Sequence, residues 1–200
     1  MTAAPHPDDE PIPSRLVSVP VVPPGGFTAD DLPRLEGTLD DRFELLDGDI
    51  VMMAPANHWH NTAMARLRTM LEAHAPDDTV IVTEQGVNLG ASVPVPDLMA
   101  VSRSSVTARS YAFVPTDIHL AVEIVSPRTK TKDRKFRPVQ YAEAGIPVFW
   151  RVENEDDAMV IHTFELSPGT GGYVAARVHR ERLVTDHPFP IDTEIPPVTW

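Results

Sequence analysis

The chain has 200 residues, 42% of them hydrophobic, and a net charge of −12, which suits one domain with a sizeable core rather than a protein coated in nucleic acid. It contains no cysteine, so disulfides, zinc–thiolate sites and thiol catalysis are excluded. No apolar run of membrane-spanning length and no basic leader before an apolar stretch is visible, so no membrane association and a cytoplasmic location are the expectations.

Residues 1–26 hold seven prolines and Asp8-Asp9-Glu10 without helical periodicity. They read as a disordered tail, with 27–200 as a single folded domain. Thr28 is placed to cap a short helix over 29–35, with acids in its first turn. Asp47-Gly48 between the runs 42–46 and 49–53 is the two-residue signal of a tight hairpin. Ala63, Met64, Leu67, Met70 and Leu71 recur at helical spacing and predict a helix over 59–74. Strands are expected at 79–85, 97–101 and 118–125. A helix from about Pro138 to Ala144 follows, stopped by Gly145 and Pro147. Runs 148–152, 159–163 and 173–178 read as further strands. The order predicts an α/β fold with helices flanking a mixed central sheet.

In the run 118–125, Ile118, Leu120, Val122 and Ile124 would face one way, and His119, Ala121, Glu123 and Val125 the other. Both faces are nearly apolar, as in a central strand covered on both sides. Glu123 is therefore an exception, as is Asp97 after Pro96. A lone carboxylate among apolar neighbours is costly to ionise and needs a metal ion, a cation or backbone amides. Taken singly, Glu123 could be bonded to amides or an arginine, and Asp97 could cap a turn. Glu44 could be a solvated neighbour of Arg42. Every lysine lies in the stretch that follows Glu123. There Arg128, Lys130, Lys132, Arg134, Lys135 and Arg137 stand against Asp133, a charge of +5 that leaves −17 elsewhere. A polyanion would be drawn to that stretch, unless it is only a solvated basic loop. Two converging carboxylates beside such cations could hold a divalent metal against a phosphodiester.

Other motifs carry less. His58 and His60 do not share a helix face, so a role at a helix start suits them better than metal binding. Ser126-Pro127 lacks the Gly-x-Ser-x-Gly elbow of a serine nucleophile. Gly171-Gly172 precedes a strand and reads as a turn, not a phosphate-binding loop.

The blocks Glu44-Leu-Leu-Asp-Gly48, His60, Pro96-Asp97, Glu123-Ile-Val-Ser-Pro127, Asp133 and Tyr141-Ala-Glu-Ala-Gly-Ile-Pro147, with Trp150, resemble the Uma-type putative restriction endonucleases of the PD-(D/E)XK nuclease superfamily. The resemblance covers about residues 27–165. It implies a restriction-endonuclease-like core and hydrolysis of nucleic-acid phosphodiesters, DNA foremost, with Mg²⁺ or Mn²⁺. It further implies Asp97, Glu123, the Ile124 carbonyl and Glu44 as metal ligands. The superfamily lysine is expected two residues after the glutamate, where this chain has Val125. In the resembling family it stands four residues before the tyrosine, where this chain has Arg137. A guanidinium can stabilise phosphate charge but cannot act as a base. Lys135 would substitute if the segment before Pro138 is not helical and lets it reach inward. Arg128, Lys130, Lys132 and Arg134 are left to position the nucleic-acid backbone.

The departure at the lysine position leaves a second reading, a nuclease fold that binds nucleic acid with weakened or no catalysis. A third makes the Pro-rich acidic tail a recruiting segment for a protein partner. A two-fold homodimer is expected if both strands of a duplex are cut.

Overall fold

The computed structural model describes residues 20–39 and 42–199. Most of the expected tail therefore lies outside the described residues. From Pro23 the chain is already engaged, in a turn closed by the Gly26 N–H on the Pro23 carbonyl at 3.0 Å. A 3-10 turn at Ala29–Asp31 leads into α1 (Leu32–Glu36), and Thr28 caps it as expected, its N–H bonded to the Asp31 carboxylate at 3.0 Å.

β1 (Phe43–Leu46) and β2 (Asp49–Met52) form the expected hairpin, with Asp47 at φ 50 and Gly48 at φ 86. Glycine is required at 48 by crowding as well as by φ. A Cβ there would stand 2.8 Å from the Gly26 Cα, where Phe27 N–H bonds the Gly48 carbonyl. The hairpin is tethered to the body by reciprocal backbone bonds between Leu45 and Val93 at 3.2 and 2.9 Å.

α2 (His58–Glu72) starts where the Asn57 side chain accepts the His60 N–H at 2.9 Å. Then follow β3 (Thr79–Thr83), β4 (Gly86–Val87), β5 (Leu98–Ser102), β6 (Ala112–Phe113) and β7 (Ile118–Ile124). A π-helical turn at Lys132–Phe136 runs directly into α3 (Arg137–Glu143), so the segment before Pro138 is helical after all. β8 (Val148–Glu155), β9 (Ala158–Leu166), β10 (Tyr173–His179), β11 (Arg182–Thr185) and β12 (Ile191–Glu194) complete the chain.

The central sheet has the order β10-β9-β8-β7-β5-β3. Only the β7–β8 pair is parallel in it, and the π-helical turn with α3 makes the crossover this requires. The fold is thus the expected α/β sandwich on a mixed sheet. The β4–β6 pair and the β11–β12 hairpin, each a separate two-stranded piece, extend beyond the sequence expectation.

Two cores cover the two faces of the sheet. Trp59, Ala63, Leu67 and Leu71 of α2 pack on Leu98, Ala100, Leu120, Val122 and Ile124. Tyr141 of α3 packs with Met99, Val101, Ala121 and Phe149 on the other side. The expected alternation of β7 holds except at Ile118, which joins the α3 side. Ala100 pairs with Leu120 but Val101 with Ile118, so His119 is an extra residue and reverses the phase at the strand's start.

Candidate active site

Strand register brings the two lone carboxylates together. Leu98 pairs with Val122 in the antiparallel β5–β7 ladder, so Asp97, one residue before β5, lies opposite Glu123. By alternation Glu123 shares the side that Ala121 gives to the α3 core, while the Asp97 carboxylate, just outside β5, is within reach of the α2 start. The Asp97 N–H bonds the Val122 carbonyl at 3.1 Å, and its carboxylate accepts the Ile124 N–H at 2.6 Å and lies 3.1 Å from His60 Nε2. The helix start that Asn57 caps therefore fixes His60 against Asp97. Burial opposes a charged imidazole, but the Asp97 hydrogen bond and charge outweigh it and raise His60 above the usual histidine range.

Glu123 is held from the crossover. Tyr141 donates its hydroxyl to Glu123 Oε1 at 2.6 Å, and Arg137 Nε lies 3.3 Å from the same oxygen. The far end of that guanidinium donates to Glu44 on β1, while Lys132 Nζ reaches both Glu44 oxygens at 2.9 and 3.1 Å. Glu44, Glu123 and Arg137 are each 5–7% exposed, so this is a buried charge network, not a surface one. Burial pushes the Glu123 carboxyl well above the ordinary range, with Arg137 opposing and the Asp133 and Asp97 charges adding. Burial likewise works against the Arg137 charge, but Tyr141, Glu123 and Glu44 more than offset it, and the guanidinium stays protonated. Asp133, 1% exposed, is raised to about 6 by burial, against a hydrogen bond from Thr129.

These groups open onto a cleft of about 560 Å³. Asp97, Glu123, Asp133 and His60 line it, with Arg42, Arg128 and Lys132, and so does the segment from Val51 to Asn57. A separate cleft of about 670 Å³, between the β8–β9 turn and the C-terminal hairpin, contains none of the expected site residues.

A family described as "Putative restriction endonuclease", Uma2, matches residues 29–197. The chain belongs to this family. No curated protein matches it. A crystal structure of a "putative nuclease" from Anabaena variabilis superposes with a TM-score of 0.60 at 13% identity, over 84% of this chain and 95% of that one. That likeness is one of fold.

Within this Uma2 chain, the structure brings Asp97, Glu123, Glu44, Arg137 and Lys132 into one constellation, and Ile124 reaches it through its amide. Lys135 is not among them. It is exposed on the π-helical turn, because that segment is helical and turns it outward. Arg128 and Lys130 are exposed, Arg128 at the cleft rim. Arg134 is clamped on Glu153 of β8, which also accepts from Arg151 at 2.8 Å. Among the described residues, no three His, Cys, Asp or Glu side chains are close enough to enclose one ion. Sequence reasoning missed the pairing of Lys132 with Glu44 and the Tyr141 bond to Glu123. Their separations, 88 and 18 residues, leave no local pattern to read. The burial of Asp133 had one local signal, a lone acid inside a run of cations.

Proposed function

We propose that the chain is a metal-dependent endonuclease acting on nucleic-acid phosphodiesters, DNA foremost, with Asp97 and Glu123 as the acidic centre. The observation that carries this reading is their placement side by side at the end of the β5–β7 ladder, both buried and both lining an open cleft. The donor chemistry fits magnesium or manganese: two carboxylates and the Ile124 carbonyl are hard oxygen ligands, and Mg²⁺ keeps several waters when few protein ligands are offered. When bound, a divalent ion supplies charge neutralisation at the phosphoryl oxygens and acidifies a water for attack.

The chain's own groups have distinct tasks in this reading. His60 orients Asp97, and Tyr141 orients Glu123. Arg137 remains charged and stabilises the negative charge that builds on the phosphate. Glu44 has both oxygens engaged, so it joins the ligand set only once Lys132 leaves it for a phosphate. Arg128 holds the backbone at the cleft, and Lys130 and the exposed Lys135 hold it beyond. Arg134 can do so only by releasing Glu153. Cutting both strands of a duplex would need two such clefts, which a two-fold dimer supplies.

A second reading, binding without cleavage, is favoured by one feature. Arg137 places a built-in cation between Glu44 and Glu123, where an ion would otherwise compensate them. Nicking of a supercoiled plasmid in Mg²⁺, Mn²⁺ and EDTA, beside Glu123→Gln and Arg137→Lys, separates the two. Metal-dependent nicking that disappears in Glu123→Gln supports the nuclease. Equal nicking by Glu123→Gln removes the assignment. No nicking by the wild type, with activity gained in Arg137→Lys, identifies the binding module.

A further inference from the structure

The cleft lining is of two kinds. Arg128 and Lys132 are among its cations, with the carboxylates. Residues 51–56, Val-Met-Met-Ala-Pro-Ala, are an unbroken apolar run that also lines it. Val51 is 37% exposed, Met52 is 50% exposed, and Ala54 and Pro55 are exposed as well. Consecutive apolar residues facing solvent are not needed for folding, and a patch of this kind marks a contact surface. The run is held at both ends. Among the described residues β2 is paired only on its β1 side, where Val51 sits opposite Glu44, and the run ends at the Asn57 cap of α2.

A lining that combines an apolar run with cations matches the two halves of a nucleotide, the face of its base and its phosphate. The volume, about 560 Å³, falls in the range of roughly 300–1,000 Å³ that takes one small ligand. That is the size of a nucleotide or two. The charge supply agrees. Strong duplex binding draws on the order of 6–10 phosphate contacts. Of the cations lining the cleft, Arg42 is paired with Glu84 at 2.6 Å and Lys132 with Glu44. Arg128 alone has no acidic partner among the described residues.

We propose that the cleft takes an unpaired nucleic-acid strand, its base against Val51, Met52, Met53 and Pro55 and its phosphate toward Arg128. This rests on the nuclease reading above and narrows its substrate to single strands, frayed ends or flaps. Contact through aliphatic and thioether groups is tolerant of base identity, because methionine adapts its shape and makes no directional hydrogen bonds.

The test is fluorescence anisotropy of the full chain, with Ca²⁺ in place of Mg²⁺. The probes are a labelled single-stranded DNA oligonucleotide, the same sequence as RNA, the same sequence as a duplex, and an abasic strand of equal length. Either single strand should bind about tenfold tighter than the duplex. The abasic strand should lose about tenfold, the scale of one base contact. Met52→Ser with Met53→Ser should weaken the single strand by a similar factor and leave the abasic strand unchanged. Duplex binding as tight as the single strand, or abasic binding as tight as the intact strand, overturns the inference while leaving the nuclease reading to the nicking assay. No binding of any probe overturns both.

Discussion

Asp133 offers the sharpest check on the electrostatics of the site. Its carboxyl is 1% exposed, its Oδ1 lacks a hydrogen-bond partner among the described residues, and burial raises its pKa from 3.8 to about 6. A carboxyl raised on folding holds its proton more tightly in the folded chain. Stability is therefore greatest below the unfolded value and falls as pH rises through the window from about 4 to about 6. Two units correspond to about 3 kcal/mol at neutral pH. Asp133→Asn removes the ionisation and gives up a charged hydrogen bond from Thr129 worth about 1 kcal/mol net. The variant should thus be more stable than wild type by about 2 kcal/mol at pH 7.5, roughly 4–8 °C in Tm for a domain this size. Near pH 4 the gain should vanish or reverse. Thermal or urea unfolding of both proteins at the two pH values measures the difference. A gain that is equal at both would show that an ionised Asp133 is not the source, and the assignment of strain to this carboxylate would fail.

Arg137→Met should be the most damaging single change in the network. It leaves Glu123 without a buried cation and Glu44 with only the half-buried Lys132, a loss of about 3–5 kcal/mol measurable by urea denaturation. Adding Glu44→Gln should recover part of that loss, and strict additivity of the two changes would contradict the pairing. Gly48→Ala should cost more than about 1 kcal/mol, since both the positive φ and the close approach of Gly26 oppose a side chain. An unchanged denaturation midpoint would mean the hairpin turn can reshape freely.

Much of the scaffold was legible because it follows local rules. Asp47-Gly48 marks its hairpin, and the apolar spacing of α2 falls within two residues of the observed ends. The Glu123 anomaly is visible in a strand that is otherwise apolar on both faces. The β8–β9 hairpin is longer than expected because its turn uses Asp156 and Asp157 at φ 50 and 64, where glycine or asparagine is the usual signal. β4 and β6 are two residues each, too short for alternation to show. At the site, residue types pointed to Asp97 and Glu123, but partner choice did not show. Whether Lys132 or Lys135 turns inward depends on the π-helical turn, whose widened hydrogen bonding has no compositional mark.

That turn also makes the cleft sensitive to arithmetic. A π-helical turn is an α-helix carrying one surplus residue, and each helical residue advances the chain by about 100°. Removing the exposed Phe136 would restore an ordinary helix without touching α3. Lys132 would then swing about a quarter-turn relative to Arg137 and lose its line to Glu44, although every charged residue type was kept. Which cation guards the acids is therefore set by phase as much as by identity. A relative whose helix lacks the surplus residue would present a different neighbour at the same depth, and residue-by-residue alignment of the two would pair side chains that face opposite ways.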